Sequence, residues 1–295
     1  MHYTGEIYRP PAEAYTPLLE VTYGCSHNSC IFCTMYKNTP FGIAKLEDIE
    51  EDIIELKKIF PNKITRIYLT GGDPFALSYN KLINISKLIH KHLKEVKTIT
   101  CYASLYNLKN KTVDQLKELK NAGFNEIYIG IETGYEKALE MINKGVNLKE
   151  SYEGLSKLKS ANIDYMAILM LGIAGEGKAK ENAIATAKLL NFYPPIFLGT
   201  MTTDIQKGSK LYDLRESGDF KEASLREDIN EQIELLKNIN FKNPKNVLYS
   251  SYHIVNPIQI RKTLDKKDEI IKMYEKVLKD TDDFILDNPN RRIAR

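Results

Sequence analysis

Residues 18–33 read LLEVTYGCSHNSCIFC, an apolar run followed at once by a short loop that carries three cysteines. A short apolar run that ends at a glycine is typical of a buried strand. We therefore predict a strand from Leu18 to Tyr23 and a polar, sulfur-bearing loop directly after it. This cysteine loop, residues 24–33, holds Cys25, Cys30 and Cys33 in the spacing Cys-x4-Cys-x2-Cys.

Five more apolar runs follow along the chain, and helical patterns separate them. The predicted strands are Arg66 to Thr70, Thr98 to Ser104, Glu126 to Ile131, Tyr165 to Leu171 and Ile196 to Thr202. The predicted helices run from about Leu46 to Phe60, Asn80 to Leu93, Val113 to Ala122, Lys149 to Ser160, Ala179 to Phe192 and Leu225 to Ile239. This alternation indicates an α/β protein with a parallel sheet, because parallel neighbours need crossover connections. Periodicity alone allows both an open doubly wound sheet and a partial or complete β/α barrel.

The pattern loosens after Thr202, where glycines and a proline interrupt the helical stretches. A last amphipathic helix is predicted from about Asp265 to Leu278. We therefore divide the chain into a core domain, residues 1–202, and a C-terminal extension, residues 203–295. The extension is expected to pack on the core and to help complete a substrate site.

The composition excludes several classes of protein. Hydrophobic residues make up 43% and charged residues 27% of the 295 residues, which excludes a disordered or fibrous chain. Lys and Arg number 42 against 39 Asp and Glu, a net charge of +3, so neither a nucleic acid nor an anionic membrane is indicated as a partner. No apolar run is long enough to span a bilayer and none resembles a signal peptide, so we expect a cytoplasmic protein.

The clustered cysteines indicate a metal site rather than disulfides, because thiolates are soft ligands for iron–sulfur clusters and zinc. Three thiolates on a four-iron cluster would leave one iron open to a substrate or cofactor. The alternative is a structural zinc site that His27 or Cys101 completes. Cys101 lies in a predicted strand, where a free cysteine is usually buried, so we expect it in the core.

Three glycine-containing segments lie at the ends of later predicted strands, where β/α proteins place their active sites. They are Gly71-Gly72-Asp73-Pro74, Ile129-Gly130-Ile131-Glu132-Thr133-Gly134 and Met170-Leu171-Gly172-Ile173-Ala174-Gly175-Glu176-Gly177. Taken singly, the first is explained by a turn before a helix and the second by a solvated glutamate beside a turn. The third could bind phosphate, but it lacks the ending of a P-loop and the spacing of a dinucleotide fingerprint.

With these four features in this order, the region from Leu18 to Thr202 resembles the radical S-adenosylmethionine (radical SAM) superfamily. Phe32, directly before the last cysteine, fits the family pattern, whereas four residues separate Cys25 from Cys30 where three are commonest. The resemblance implies a partial (β/α)6 barrel, similar to a TIM barrel, with a C-terminal extension. It also implies a 4Fe-4S cluster on Cys25, Cys30 and Cys33, with S-adenosylmethionine bound at the open iron.

The same resemblance implies which residues bind S-adenosylmethionine. In the turn Gly71-Gly72-Asp73-Pro74, the main chain and the acidic side chain of Asp73 receive the methionine amino group. Glu132 lies near the ribose, and the main chain of Gly172 and Ile173 flanks the adenine. No catalytic residue is assigned. His253 is either an acid–base candidate or part of an edge strand before a proline turn.

The resemblance implies an enzyme that cleaves S-adenosylmethionine reductively to a 5'-deoxyadenosyl radical, which abstracts hydrogen from an unidentified small-molecule substrate. Flavodoxin or ferredoxin is the expected electron donor. Within the superfamily, the middle and C-terminal segments are loosely similar to oxygen-independent coproporphyrinogen oxidase. Two other classes stay open: a zinc-stabilised α/β binding protein, and a nucleotide-dependent transferase that uses the glycine loops.

Overall fold

The computed structural model describes residues 1–60 and 63–288. In these ranges the strands are β1 (Leu18–Glu20), β2 (Thr22–Tyr23), β3 (Gly42–Ile43), β4 (Arg66–Thr70), β5 (Thr98–Ala103), β6 (Glu126–Glu132), β7 (Asp164–Leu171), β8 (Phe197–Thr202), β9 (Leu248–Ser250) and β10 (Arg261–Thr263). The α-helices are α1 (Leu46–Ile59), α2 (Tyr79–His92), α3 (Val113–Asn121), α4 (Glu136–Met141), α5 (Leu148–Ala161), α6 (Ala179–Phe192), α7 (Lys210–Ser217), α8 (Leu225–Asn238), α9 (Lys267–Asp280) and α10 (Asp283–Leu286). Short 3-10 helices lie at Pro11–Glu13, Pro74–Ala76, Leu105–Leu108, Pro244–Asn246 and Leu264–Lys266.

Eight strands form one sheet in the order β1-β4-β5-β6-β7-β8-β9-β10. The pairs β1–β4, β4–β5, β5–β6, β7–β8 and β8–β9 are parallel, whereas β10 pairs antiparallel with β9. Helices connect the successive parallel strands, as parallel pairing requires. The α/β class and the mainly parallel sheet expected from the sequence are therefore confirmed.

The first predicted strand, Leu18 to Tyr23, is two strands in the structure. Leu18–Glu20 pairs in parallel with β4, whereas Thr22–Tyr23 turns away and pairs antiparallel with Gly42–Ile43. A Cβ added to Gly42 would lie 2.1 Å from Cζ of Tyr23, so only glycine leaves room for the tyrosine ring in this two-stranded pair. The correction shows that the chain already leaves the main sheet before the cysteine loop begins.

The chain divides into two compact units. The first takes residues 1–28, 35–130 and 153–165. In it α1 packs on α2 and turns the apolar stripe Ile49, Ile53 and Leu56 into the core.

The amino ends of β4 and β6 in the first unit carry a charged network. Arg66 forms ion pairs with the buried Glu13 at 2.7 Å and with Glu126 at 2.5 Å. The hydroxyl of Tyr128 donates to the same Glu13 carboxylate over 2.8 Å. Such a network at the amino ends of parallel strands serves stability, which leaves the opposite ends for chemistry.

The second unit takes residues 29–34, 131–152 and the chain from 166 onward. In it α6 packs on α8. Helix α8 begins with a capping box, in which the Ser224 and Glu227 side chains each bond to the other's main-chain N–H. The division at residue 202 stays a prediction. None of the helices in the described ranges is both long and apolar enough to cross a membrane.

Candidate active site

The first half of the cysteine loop lies against the glycine turn that follows β4. The N–H of Gly72 donates to the carbonyl oxygen of Gly24 over 2.7 Å. A Cβ added to Gly72 would lie 2.6 Å from the Cβ of Cys25, so only glycine permits this approach. Gly71 has a φ of +128°, and Pro74 begins the buried 3-10 turn after it. The structure thus brings two predicted site segments together within the first unit.

Side chains of this turn and loop fix Cys25 further. The main-chain N–H of Ser26 donates to Oδ1 of Asp73 over 2.8 Å, and the Ser26 hydroxyl donates to Oδ2. The N–H of Asn28 donates to Sγ of Cys25 over 3.5 Å. These contacts fix the main chain on both sides of Cys25 and the position of its sulfur.

Cys30 and Cys33 belong to the second unit, where Ile31, the residue after Cys30, is anchored. The N–H of Ile31 donates to the carbonyl of Ile142 over 3.1 Å, and its own carbonyl accepts from the N–H of Leu211 over 2.9 Å. The Ile31 side chain is buried in an apolar cluster with Met170 and Ile173. These contacts fix the main chain next to Cys30.

The donor set fits an iron–sulfur cluster by its chemistry. Cys25, Cys30 and Cys33 are half-buried and form no disulfide, and soft thiolates are the usual cluster ligands. Over residues 1–60 and 63–288, no three Cys, His, Asp or Glu side chains are grouped as metal ligands. Cys101 is fully buried, and burial raises the pKa of its thiol well above the usual range, which disfavours the thiolate. It is a core residue, as expected.

Glu132 ends β6 with a φ of +59°, an uncommon conformation for this residue type. Its side chain is 8% exposed, and Oε1 accepts from Nζ of Lys144 over 2.5 Å. The same Nζ lies 6.0 Å from the ring centroid of Phe32. The sequence places Lys144 close after the Glu132 segment, but no local pattern indicates that the two side chains pair.

Gly172, after β7, is held by a helix that follows it in the chain. Its N–H donates to Oε2 of Glu231 over 3.0 Å, and Nδ2 of Asn182 donates to Oε1 over 2.6 Å. A Cβ on Gly172 would lie 2.4 Å from Oδ1 of Asp228, and its φ is +70°. Burial raises the pKa of Glu231 to about 8, with the charge of Asp228 adding to the rise.

Sequence reasoning missed Glu231 and Asn182. Both lie on the buried faces of predicted helices. The available signal is a carboxylate at a position that shares its helical face with apolar residues. Ile173 itself is fully buried.

His253 lies in the turn after β9 and is half-buried. Its Nδ1 accepts from the N–H of Val255 over 3.4 Å, and burial lowers its pKa. Its role in acid–base chemistry stays a prediction.

Gly134 gives a test of packing beside the Glu132 segment. Its N–H donates to Oγ1 of Thr186 over 2.8 Å, and an added Cβ would lie 2.6 Å from the carbonyl oxygen of Ala185. Since main chain cannot yield easily, we expect Gly134→Ala to lower the free energy of unfolding by about 3 kcal/mol, measured by urea denaturation. The matched variant Gly177→Ala meets no atom within 4 Å, so only its left-handed backbone should cost about 1 kcal/mol. Equal losses in the two variants would contradict this account of Gly134.

Comparisons with known proteins match the site region. The model of the Radical SAM superfamily matches residues 19–187, more than half of the chain. The heme chaperone HemW of Bacillus subtilis is 26% identical over 149 residues, which are 50% of this chain and 39% of that protein. A putative methylthiotransferase of Methanocaldococcus jannaschii is 24% identical over 225 residues, 71% of this chain and 49% of that protein. The aligned regions thus span half or less of these curated relatives.

A solved structure extends the comparison to the fold. The radical S-adenosylmethionine methyltransferase TsrM from Kitasatospora setae has a TM-score of 0.51 and 16% sequence identity, and covers 63% of this chain and 34% of its own. This likeness concerns the fold alone, the partial TIM-type barrel that the sequence resemblance implied.

Proposed function

The chain belongs to the Radical SAM superfamily, and we propose that it is an enzyme that uses a 4Fe-4S cluster and S-adenosylmethionine to act on a small-molecule substrate. The family match over residues 19–187, which contains all three clustered cysteines, carries the proposal. When bound, these cofactors supply reductive cleavage of the sulfonium C–S bond, which gives methionine and a 5'-deoxyadenosyl radical that takes hydrogen from the substrate.

Cys25, Cys30 and Cys33 are the proposed cluster ligands. They are half-buried and form no disulfide, and the main chain next to Cys25 and Cys30 is fixed by hydrogen bonds at Gly24 and Ile31. Three protein thiolates leave one iron of a four-iron cluster for S-adenosylmethionine. Over residues 1–60 and 63–288 these side chains are not grouped as metal ligands, so the assignment rests on thiolate chemistry and on the family match.

Three segments are proposed to bind S-adenosylmethionine. In the first, Gly71, Gly72, Asp73 and Pro74, the glycines permit close main-chain approach. In the second, the buried carboxylate of Glu132 can accept hydrogen bonds from ribose hydroxyls. The third, Gly172 and Ile173, offers main chain to the adenine. In this assignment the Lys144 ammonium orients the Glu132 carboxylate, and Glu231 holds the Gly172 main chain.

The remaining parts of the proposal concern partners. A reduced flavodoxin or ferredoxin in the cytoplasm supplies the electron, and residues 203–295 help complete the substrate site. The family match gives no support to the zinc-stabilised binding protein. A structural zinc site would explain the cysteines but not the three glycine segments.

The proposal is tested by anaerobic reconstitution with iron and sulfide, reduction with dithionite and addition of S-adenosylmethionine. We expect 5'-deoxyadenosine by mass spectrometry, in amounts that follow the cluster content. A colourless protein that holds zinc, contains no acid-labile sulfide and forms no product would overturn the proposal.

A further inference from the structure

The Asp73 carboxylate accepts two hydrogen bonds from Ser26 of the cysteine loop and one from Asn107. The side chain is 3% exposed. Oδ1 accepts the N–H of Ser26 over 2.8 Å, while Oδ2 accepts the Ser26 hydroxyl and Nδ2 of Asn107, the latter over 3.2 Å. A buried carboxylate is tolerated when donors surround it in this way. Three of its roughly four acceptor sites are therefore in use.

The donor Asn107 is itself fixed from behind. Its Oδ1 accepts the N–H of Ser104 over 2.7 Å, so its amide is oriented with Nδ2 toward Asp73. Nζ of Lys111, which is 3% exposed, donates to the carbonyls of Phe75 over 2.8 Å and Asn107 over 3.3 Å. One buried ammonium thus joins the turn after β4 to the turn after β5.

A second lysine, Lys157 of α5, binds the main chain of the turn after β5. Nζ of Lys157 donates to the carbonyls of Leu108, Lys109 and Lys111 at 2.7, 3.1 and 2.9 Å. An ammonium has three donors, and these three acceptors match them. The contacts run without a break from α5 through the turn after β5 to Asp73 and Ser26, all within the first unit.

We propose that Asp73 is a positioning residue that fixes residues 24–28, and with them Cys25, and that Asn107 and Lys111 support it. The inference rests on the proposed function and assigns the carboxylate a different task from the one that the family resemblance implies. The methionine amino group is then received by carbonyl oxygens of the turn, because the Asp73 carboxylate is buried and engaged by Ser26. Ser26, which lies inside the cysteine loop, and Asn107, which lies outside all four segments, become part of the site.

The first test needs no cluster. In the cluster-free protein, we expect Ser26→Ala to raise the rate at which iodoacetamide alkylates Cys25 by roughly tenfold, because a hydrogen bond to a charged group no longer restrains loop opening. Peptide mass spectrometry measures the rate for Cys25 separately from the other cysteines. Ser29→Ala is the matched control, since Ser29 belongs to the second unit and the variant keeps the main-chain carbonyl that accepts from Asn143. Ser26 is exposed, so its replacement leaves the core intact.

Double substitution makes the test specific for the pair. We expect Asp73→Asn to raise the same rate, and Ser26→Ala in that background to add less than roughly twofold, because the two side chains act through one contact. Asn107→Ala should raise the rate less than Asp73→Asn does. After reconstitution, Ser26→Ala should also lower the iron bound per chain.

A different set of results would overturn the inference. If Asp73 receives the methionine amino group, Asp73→Asn raises the KM for S-adenosylmethionine while alkylation of Cys25 stays at the wild-type rate, and Ser26→Ala changes neither. Failure of the proposed function is distinguishable from failure of this inference. If the wild-type chain takes up no iron and sulfide, the proposed function is wrong, whereas the alkylation rates of the cluster-free protein still decide the role of Asp73.

Discussion

Replacing Cys30 by alanine is expected to abolish both cluster binding and the formation of 5'-deoxyadenosine. Changes next to a metal ligand already cost about 10–100-fold in metal affinity, so loss of a ligand should reduce product by more than about 100-fold. Cys30 is half-buried in a loop, and its neighbour Ile31 packs in an apolar cluster of the second unit, which the substitution leaves unchanged. Iron and acid-labile sulfide per chain, together with 5'-deoxyadenosine by mass spectrometry, measure the effect.

Cys101→Ala is the matched control for this substitution. Cys101 is fully buried in β5, and burial raises its thiol pKa, so it is not expected to act as a thiolate ligand. We expect this variant to lose some stability by leaving a small cavity and to keep its full cluster content. Normal cluster and product in Cys30→Ala, or a colourless Cys101→Ala protein, would contradict the assignment of the ligands.

The sequence was informative wherever a few consecutive residues decide the structure. The strand Arg66–Thr70 and the helix Ala179–Phe192 are observed with the predicted bounds, because hydrophobic periodicity is a local property. The ladder of Thr22–Tyr23 with Gly42–Ile43 escaped prediction, since two-residue strands are too short to show a period. Helices α4 and α7 escaped for the same reason, having six and eight residues.

The candidate site shows the same division. The three cysteines and the glycines at Gly71 and Gly72 are recognisable alone, because thiolate chemistry and close main-chain approach each require one residue type. Asn107 and Glu231 are not, because their function depends on partners 34 and 59 positions away in the chain. Such pairing is set by tertiary packing, and no short stretch of the sequence shows which distant residues will meet.

Glu231→Gln is expected to remove a large pH dependence of stability. Burial raises the pKa of Glu231 in the folded chain to about 8, whereas a glutamic acid in the unfolded chain has a pKa of about 4.3. The folded state therefore keeps a proton that the unfolded state releases. This group stabilises the fold fully below the unfolded pKa, and its contribution is lost as the pH rises toward 8.

The expected loss for the wild-type chain is on the order of a few kcal/mol between pH 4.5 and 8, because each pKa unit corresponds to about 1.4 kcal/mol. Glutamine stays neutral across this range, so its mispairing with Gly172 or Asn182 should lower the free energy of unfolding by a roughly constant amount. As the pH rises, the wild-type chain loses stability and the difference between the two proteins shifts in favour of Glu231→Gln. Urea denaturation at pH 5 and pH 8 measures the difference. Glu234→Gln, which changes a half-buried glutamate on the same helix, controls for removal of a negative charge.

A difference in the free energy of unfolding between wild type and Glu231→Gln that stays constant from pH 5 to pH 8 would show that Glu231 is ionised in the folded protein. The N–H of Gly172 would then be held by a charged carboxylate, and the segment proposed to flank the adenine would carry a buried negative charge at neutral pH.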